Sequence, residues 1–319
     1  MSRPQVIVTD HGFPNLRHEE EVLAAAGADL VVAHCKTAAD VIAAARDADA
    51  LLVQWAPVNG EVIAALTRCR VIVRYGIGVD NVDLAAAKSR GIPVCNVPDY
   101  GVHEVAEHTV AFALALVRQL PFIDRRLRAG TWKIVPDRPM PSLRGATYAT
   151  AGFGRIARAA HGMMAGFGVK SIAFDPFVPA EVMAEARVEK VEKEAIFARA
   201  DILSLHLPLS PETKHFVNAA SLSAMKSPAV VVNTARGGLI DTRALAAALG
   251  QGVIAGAGLD VFETEPLEKD HPLLSCPTAL LTSHVAWYSE SSIPRLQKLA
   301  AEEVARGLRG EPLRNQVNR

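Results

Sequence analysis

The stretch that decides the fold is TYATAGFGRIARAAHGMMAGFGVKSIAFD, residues 147–175. An apolar run reaches Gly152, the turn Gly152-Phe153-Gly154-Arg155-Ile156-Ala157 opens an Ala-rich segment of helical period, and a second apolar run ends at Asp175. Small residues at 152, 154 and 157 permit a tight turn, close approach of backbone N–H groups to a pyrophosphate and close packing of helix on strand. The helix N-terminus adds partial positive charge. Alone, the string fits an ordinary glycine turn equally well. Asp175 sits 21 residues beyond Gly154, where an acid can accept hydrogen bonds from adenosine hydroxyls; as a turn or cap residue it would need no ligand. Pro176 follows it and no basic residue does, so a 2′-phosphate would meet negative charge without a counter-ion. NAD is therefore expected in preference to NADP.

Outward from this unit, short Val/Ile/Leu runs alternate with Ala-rich helical segments. Residues 6–9, 30–34, 50–54 and 70–75 read as one set of strands, and 147–152, 171–175, 200–208, 229–233, 256–262 and 279–283 as another. Continuous apolar runs are what parallel strands buried on both faces require. The fold class is α/β, two Rossmann-like or flavodoxin-like domains with parallel sheets and an active site expected in the interdomain cleft. Two long helical stretches stand apart from the alternation. His103–Arg118 is apolar nearly all round, so burial between domains or between subunits is expected. Ser289–Leu308 is amphipathic and follows the second set of strands, which predicts a discontinuous first domain. The expected division is 1–101 with 288–319 as the substrate-binding domain and 102–287 as the NAD-binding domain. PDRPMPS (136–142) reads as a loop.

Composition narrows the function classes. The 319 residues are 50% hydrophobic but only 5% aromatic, and 34 basic side chains balance 34 acidic ones. A neutral chain has no global field for nucleic acid or an anionic membrane, so neither is an expected partner and any anion site must be local. Cys35, Cys69, Cys95 and Cys276 are far apart, with no spacing for a metal, and no apolar run is long enough to span a bilayer. A cytoplasmic location is expected.

Chemistry-bearing residues gather at strand ends. In AVVVNTARGGLID (229–241), Arg236 follows a buried strand, where ligands bind in open α/β sheets, and guanidinium grips carboxylates with paired hydrogen bonds. A surface ion pair is the alternative role for a lone arginine. GLDVFETEP (258–266) and LLTSHVAWYSESS (280–292) place Glu265 and His284 just beyond two further strands. Carboxylate beside imidazole is an acid/base arrangement, although sequence alone does not show that the two touch.

These motifs, in this order and with VRYGIGVDNVDLAAAKSRGIPVCNVPDYGVHEVAEHT (73–109), resemble the D-isomer-specific 2-hydroxyacid dehydrogenase family over almost the whole chain. VCNVP (94–98), GFGRIARA, DPF and HVAWYSE (284–290) are most similar to its C-terminal-binding-protein-like, phosphoglycerate-dehydrogenase-like subgroup. The resemblance implies an oxidoreductase moving a hydride between NAD and C2 of a small 2-hydroxy or 2-oxo acid. It implies a catalytic set of Arg236, Glu265 and His284, and substrate held by the backbone of Tyr75, Gly76 and Ile77, with Trp287 as a pocket wall. Besides Gly152, Gly154, Arg155, Ile156 and Asp175, it assigns His206, Leu207 and Pro208 to the adenosine side. Thr234, Ala235, Asp260 and His108 are assigned to the nicotinamide end, while structural roles stand beside the ligand roles for His206 and His108. A homodimer is implied, with the 103–118 helix against its twin.

Four departures qualify the match. Ala157 replaces the commoner third glycine; Tyr148 and Thr150 make the first strand unusually polar; Ser283 stands where proline usually precedes the histidine. Gln54 stands where phosphoglycerate dehydrogenases typically carry a phosphate-binding arginine, which points away from a phosphorylated substrate. A chain ending at Arg319 is expected to carry no added regulatory domain. The alternative function is an NADH-sensing dimeric scaffold or corepressor-like protein with weak dehydrogenase activity, and a third reading is a dehydrogenase of an unusual donor such as formate.

Overall fold

Among the described residues, twelve strands, all in parallel pairing, form two sheets. The computed structural model describes residues 3–136 and 138–319. Contacts divide the chain into two compact units, one made of Met1–Gly101 with Tyr288–Arg319 and the other of Val102–Trp287.

The first unit contains β1 (Gln5–Val8), α1 (Arg17–Ala25), β2 (Asp29–Val32), α2 (Ala38–Ala45), β3 (Ala50–Val53), α3 (Gly60–Ala65), β4 (Val71–Arg74), α4 (Leu84–Ser89) and β5 (Val94–Cys95). Their order in the sheet is β2-β1-β3-β4-β5, the flavodoxin-like arrangement. The last helix of the chain, here α12 (Ser292–Arg309), packs on α1, β3 and β4 of this unit. Gly307 allows that approach, because a Cβ there would stand 2.5 Å from the Val71 side chain. The chain's final residues then close the β5 edge, with Val317 N–H donating to Val94 O and Asn318 bonding Val94 and Ile92.

The second unit opens with α5 (Val102–Val117) and α6 (Leu120–Arg128), then β6 (Thr147–Ala151), α7 (Arg155–Ala165), β7 (Lys170–Phe174), α8 (Ala180–Glu185) and β8 (Glu189–Lys190). It continues through α9 (Lys193–Arg199), β9 (Ile202–Leu205), α10 (Ala219–Ser223), β10 (Val230–Asn233), α11 (Thr242–Gly250), β11 (Gly256–Leu259) and β12 (Ala279–Leu281). The order β12-β11-β10-β9-β6-β7-β8 reverses direction between β6 and β9, the doubly wound pattern in which ligands bind beyond the carboxyl ends of the strands.

Two expectations change here. The apolar helix α5 needs neither a second domain nor a second subunit to be buried: Ala106, Val110, Ala113 and Leu116 pack against α7, β10 and β11 of their own unit. Its close seat explains the glycines of β11, since a Cβ on Gly258 would meet the Phe112 ring at 2.8 Å. The unusual polarity of β6 is satisfied in place. Tyr148 OH and Ser204 Oγ lie 2.8 Å apart, and Thr150 Oγ1 lies 3.1 Å from His161 Nε2 on α7. Of the loop expected at 136–142, Asp137 lies outside the described residues; the rest is neither helix nor strand. Sequence reading missed the short elements α4, α6, α8, α10, β5 and β8.

Candidate active site

The glycine turn stands at the end of β6, next to β9 across the reversal. Gly152 has φ +93°, and a Cβ on it would stand 2.6 Å from the carbonyl oxygen of His206, so glycine is needed for conformation and for space. Gly154 differs: a Cβ there would meet no protein atom. The open space lies at the N-terminus of α7, whose first residues are Arg155 and Ile156, and it fits a pyrophosphate drawn to that helix end. Ala157 is fully buried, which suits a small third residue. Asp175 accepts hydrogen bonds from the N–H groups of Phe153 and Phe177, both at 2.9 Å. The carboxylate is thereby tied to the glycine turn and still has lone pairs for ribose hydroxyls.

Beyond β9, His206 Nε2 contacts Ser204 Oγ at 2.9 Å and continues the chain to Tyr148, with Leu207 and Pro208 following. Burial, with a smaller contribution from His161, pushes the His206 imidazole down to about 3, so it is neutral near pH 7. Beyond β10, the buried Asn233 amide shapes the turn, donating to Arg236 O at 2.9 Å and accepting Ala235 N–H at 3.0 Å. Sequence reading passed over Asn233, although an asparagine closing an otherwise apolar strand was the available signal. Thr234 Oγ1 meets Thr109 Oγ1 of α5 at 2.7 Å.

Glu265 and His284 come together. His284 Nδ1 lies 2.7 Å from Glu265 Oε2, and Glu265 Oε1 accepts Phe262 N–H at 2.9 Å. Burial would raise the Glu265 carboxyl, but these hydrogen bonds and the charges of His284 and Arg236 hold it below the usual carboxylate range. His284 adopts φ +58°, uncommon for a residue with a side chain, in a loop bonded to Asp260. Asp260 is 1% exposed. Its carbonyl accepts His284 N–H at 2.7 Å, and its carboxylate accepts Val285 N–H and Ala286 N–H, both at 2.9 Å, and the Thr282 hydroxyl at 2.5 Å. His108 Nε2 contacts the same hydroxyl at 3.1 Å. Asp260 and His108 therefore support the loop that carries His284. Trp287 donates its indole N–H to His284 O at 2.9 Å, a further tie within that loop.

In the first unit, the bend after β4 uses two of its N–H groups internally. The N–H of Tyr75 bonds Val53 O at 2.8 Å and that of Gly76 bonds Arg74 O at 2.9 Å, so strand pairing and a tight turn use both groups. Of the three positions, Ile77 is the one whose N–H these two bonds do not use. The Tyr75 side chain is buried, with its hydroxyl donating to Glu19 at 2.8 Å. Gln54, 3% exposed, accepts Gly12 N–H at 2.8 Å through Oε1 and holds the loop after β1.

Residues 110–286 match the family model for the D-isomer specific 2-hydroxyacid dehydrogenase, NAD binding domain. The chain belongs to this family. It is 39% identical over 279 residues to a D-3-phosphoglycerate dehydrogenase of Mycobacterium bovis, covering 87% of this chain and 52% of that one. A glyoxylate reductase of Korarchaeum cryptofilum is 37% identical over 283 residues, covering 87% and 85%. Among solved structures, D-lactate dehydrogenase from Aquifex aeolicus complexed with NAD and lactic acid superposes with a TM-score of 0.86 at 26% identity, covering 96% of each chain. The chain spans about half the length of the curated phosphoglycerate dehydrogenases it matches.

Proposed function

We propose that this protein is an NAD-dependent dehydrogenase that interconverts a small, non-phosphorylated 2-hydroxy acid and its 2-oxo acid. The observation that carries this reading is the 2.7 Å Glu265–His284 pair at the carboxyl ends of the strands, beside the turn that holds Arg236. When bound, the nicotinamide cofactor supplies or accepts the hydride. Glu265 occupies Nδ1 of His284, which leaves Nε2 to give a proton to the C2 oxygen during reduction or to take one during oxidation. The carboxylate favours the protonated ring, and the Asp260-anchored loop fixes its orientation. Arg236 binds the substrate carboxylate through its guanidinium. Trp287, fixed by its bond to His284 O, forms a wall of the substrate pocket.

The NAD preference rests on Asp175, followed by Pro176 rather than a cation. The substrate class rests on Gln54, a buried amide engaged with Gly12, at the position where phosphoglycerate dehydrogenases carry arginine. The 37% identical glyoxylate reductase, matched over most of its length, supports the same class. The four free cysteines fit a reducing compartment, and no described helix is long and apolar enough to cross a membrane. The homodimer is proposed through α6 and the segment after it. With α5 buried in its own unit, the exposed apolar side chains there are Leu120, Ile123, Leu127, Trp132, Ile134 and Val135.

NADH and NADPH oxidation should be compared with glyoxylate, hydroxypyruvate, pyruvate, branched and methylthio 2-oxo acids, and 3-phosphohydroxypyruvate. The expected result is turnover of a non-phosphorylated acid, faster with NADH. Turnover of the phosphorylated acid alone would contradict the substrate class, and faster turnover with NADPH the cofactor preference.

A further inference from the structure

A second carboxylate–imidazole pair lies two residues from the first. Glu263 Oε1 accepts a hydrogen bond from His215 Nε2 at 2.6 Å; Glu263 Oε2 accepts the Thr242 N–H at 3.0 Å and the Thr242 hydroxyl. The direction of that hydroxyl is settled by its neighbour. His271 Nδ1 accepts Leu273 N–H at 3.2 Å, so His271 carries its proton on Nε2 and donates it to Thr242 Oγ1 at 3.1 Å. Thr242 must then direct its own proton at Glu263. Every neighbour of this carboxylate is a donor, which suits an ionised acid, and the net effect of these bonds is to hold Glu263 below the usual carboxylate range despite its burial.

The same place joins three loops. His215 closes the 206–218 loop and donates its N–H to Gly238 O at 2.8 Å, while Leu209 of that loop packs on Gly238. Gly237, directly after Arg236, lies so close to the Glu265 loop that a Cβ would stand 1.9 Å from the carbonyl carbon and oxygen of Phe262. Thr242 begins α11, immediately after the arginine loop. A shift of Glu263 would therefore move the loops of Arg236, Glu265 and His206 together.

We infer that Glu263 is a positioning residue of the proposed reaction, clamping the Arg236, Glu265 and His206 loops through Thr242 and His215. It touches no reacting atom itself. Its neighbour Glu265 acts on His284; Glu263 keeps Glu265 where it can. A glutamine of the same shape would present an NH2 group to donors that need an acceptor, which should open the clamp.

The inference rests on the dehydrogenase reading for its kinetic part only. The test uses Glu263→Gln, Thr242→Val and the conservative Thr242→Ser, with hydrogen exchange read across Val102–Trp287 and kinetics read with NADH and glyoxylate. For Glu263→Gln and Thr242→Val, exchange should quicken within 206–218, 234–241 and 260–266, and kcat/KM should fall about tenfold to a hundredfold, the scale of misplaced catalytic groups. Thr242→Ser should stay within about twofold of the parent, and Glu263→Gln added to Glu265→Gln should cost less than about twofold more, because one acts through the other. The inference is overturned by exchange and kinetics unchanged in Glu263→Gln, by exchange quickening uniformly across the unit, or by full multiplication of the two costs. Failure of both Glu263→Gln and Thr242→Val to fold would overturn it too, making the cluster a matter of stability alone. If the parent oxidises NADH with no 2-oxo acid, the dehydrogenase reading fails, and the exchange pattern still decides whether the clamp exists.

Discussion

His284 shows what a single residue in this protein requires. Its ring meets Glu265 on one nitrogen, and its backbone takes φ +58° within a loop where Asp260 accepts the N–H groups of His284, Val285 and Ala286. His284 and Glu265 stood out in the sequence as motif residues, and the family resemblance implied Asp260 and His108 at the nicotinamide end; the hydrogen bonds by which these two hold the His284 loop depend on loops meeting across β11 and β12, which no local pattern encodes. Replacing Asp260 with Ala should leave three donors without an acceptor and destabilise the unit by about 1–3 kcal/mol, measured by urea denaturation. Activity should fall further than stability explains, because the histidine loop is released. Gly237→Ala should also destabilise by about 1–3 kcal/mol, since its methyl overlaps the Phe262 carbonyl, and the same melts would show no change if that contact were loose.

At the scale of elements, long periodic segments were readable and short ones were not. The strands β1, β3, β9 and β10 and the helices α7, α11 and α12 carry enough apolar period to identify themselves. The two-residue β5 and β8 depend on hydrogen bonds from neighbouring strands, and α6 is a short helix that leaves Leu120, Ile123 and Leu127 exposed and packs only Phe122 on the core, so its period pointed to no core. The polar positions of β6 pointed to no obvious partner either; they pair with Ser204 and His161, more than ten residues away. These buried histidines make stability depend on pH. Burial pushes His161 down to about 4 and His206 to about 3, whereas both take up protons near the ordinary imidazole value of 6.5 when unfolded. The unfolded chain therefore binds more protons between about 6.5 and 4, and stability should fall as pH drops through that window. His161→Phe should flatten part of the slope in thermal melts; an unchanged slope would show that other groups set it.

For the molecule as a whole, the sequence predicted two parallel sheets and a chain that leaves its first fold and returns to it; the two units have those sheets. The misreading concerned α5, whose apolar surround is explained by Phe112 and Leu116 seated on the glycines of β11, a tertiary fit that composition alone does not distinguish from a subunit contact. A dimer should instead depend on the exposed apolar surface of α6 and the residues after it. Leu127→Glu with Trp132→Asp should convert a dimer to a monomer in sedimentation velocity at micromolar concentration, and a dimer that survives both would place the contact elsewhere. The central claim is that His284 is the acid and base for hydride transfer at C2 of a 2-oxo acid. Its most direct test is steady-state reduction of the best 2-oxo acid by NADH in the parent and in His284→Ala, with NADH binding followed by nicotinamide fluorescence. A fall in kcat of about a hundredfold or more with NADH binding retained is the predicted result, and turnover equal to the parent's would contradict it.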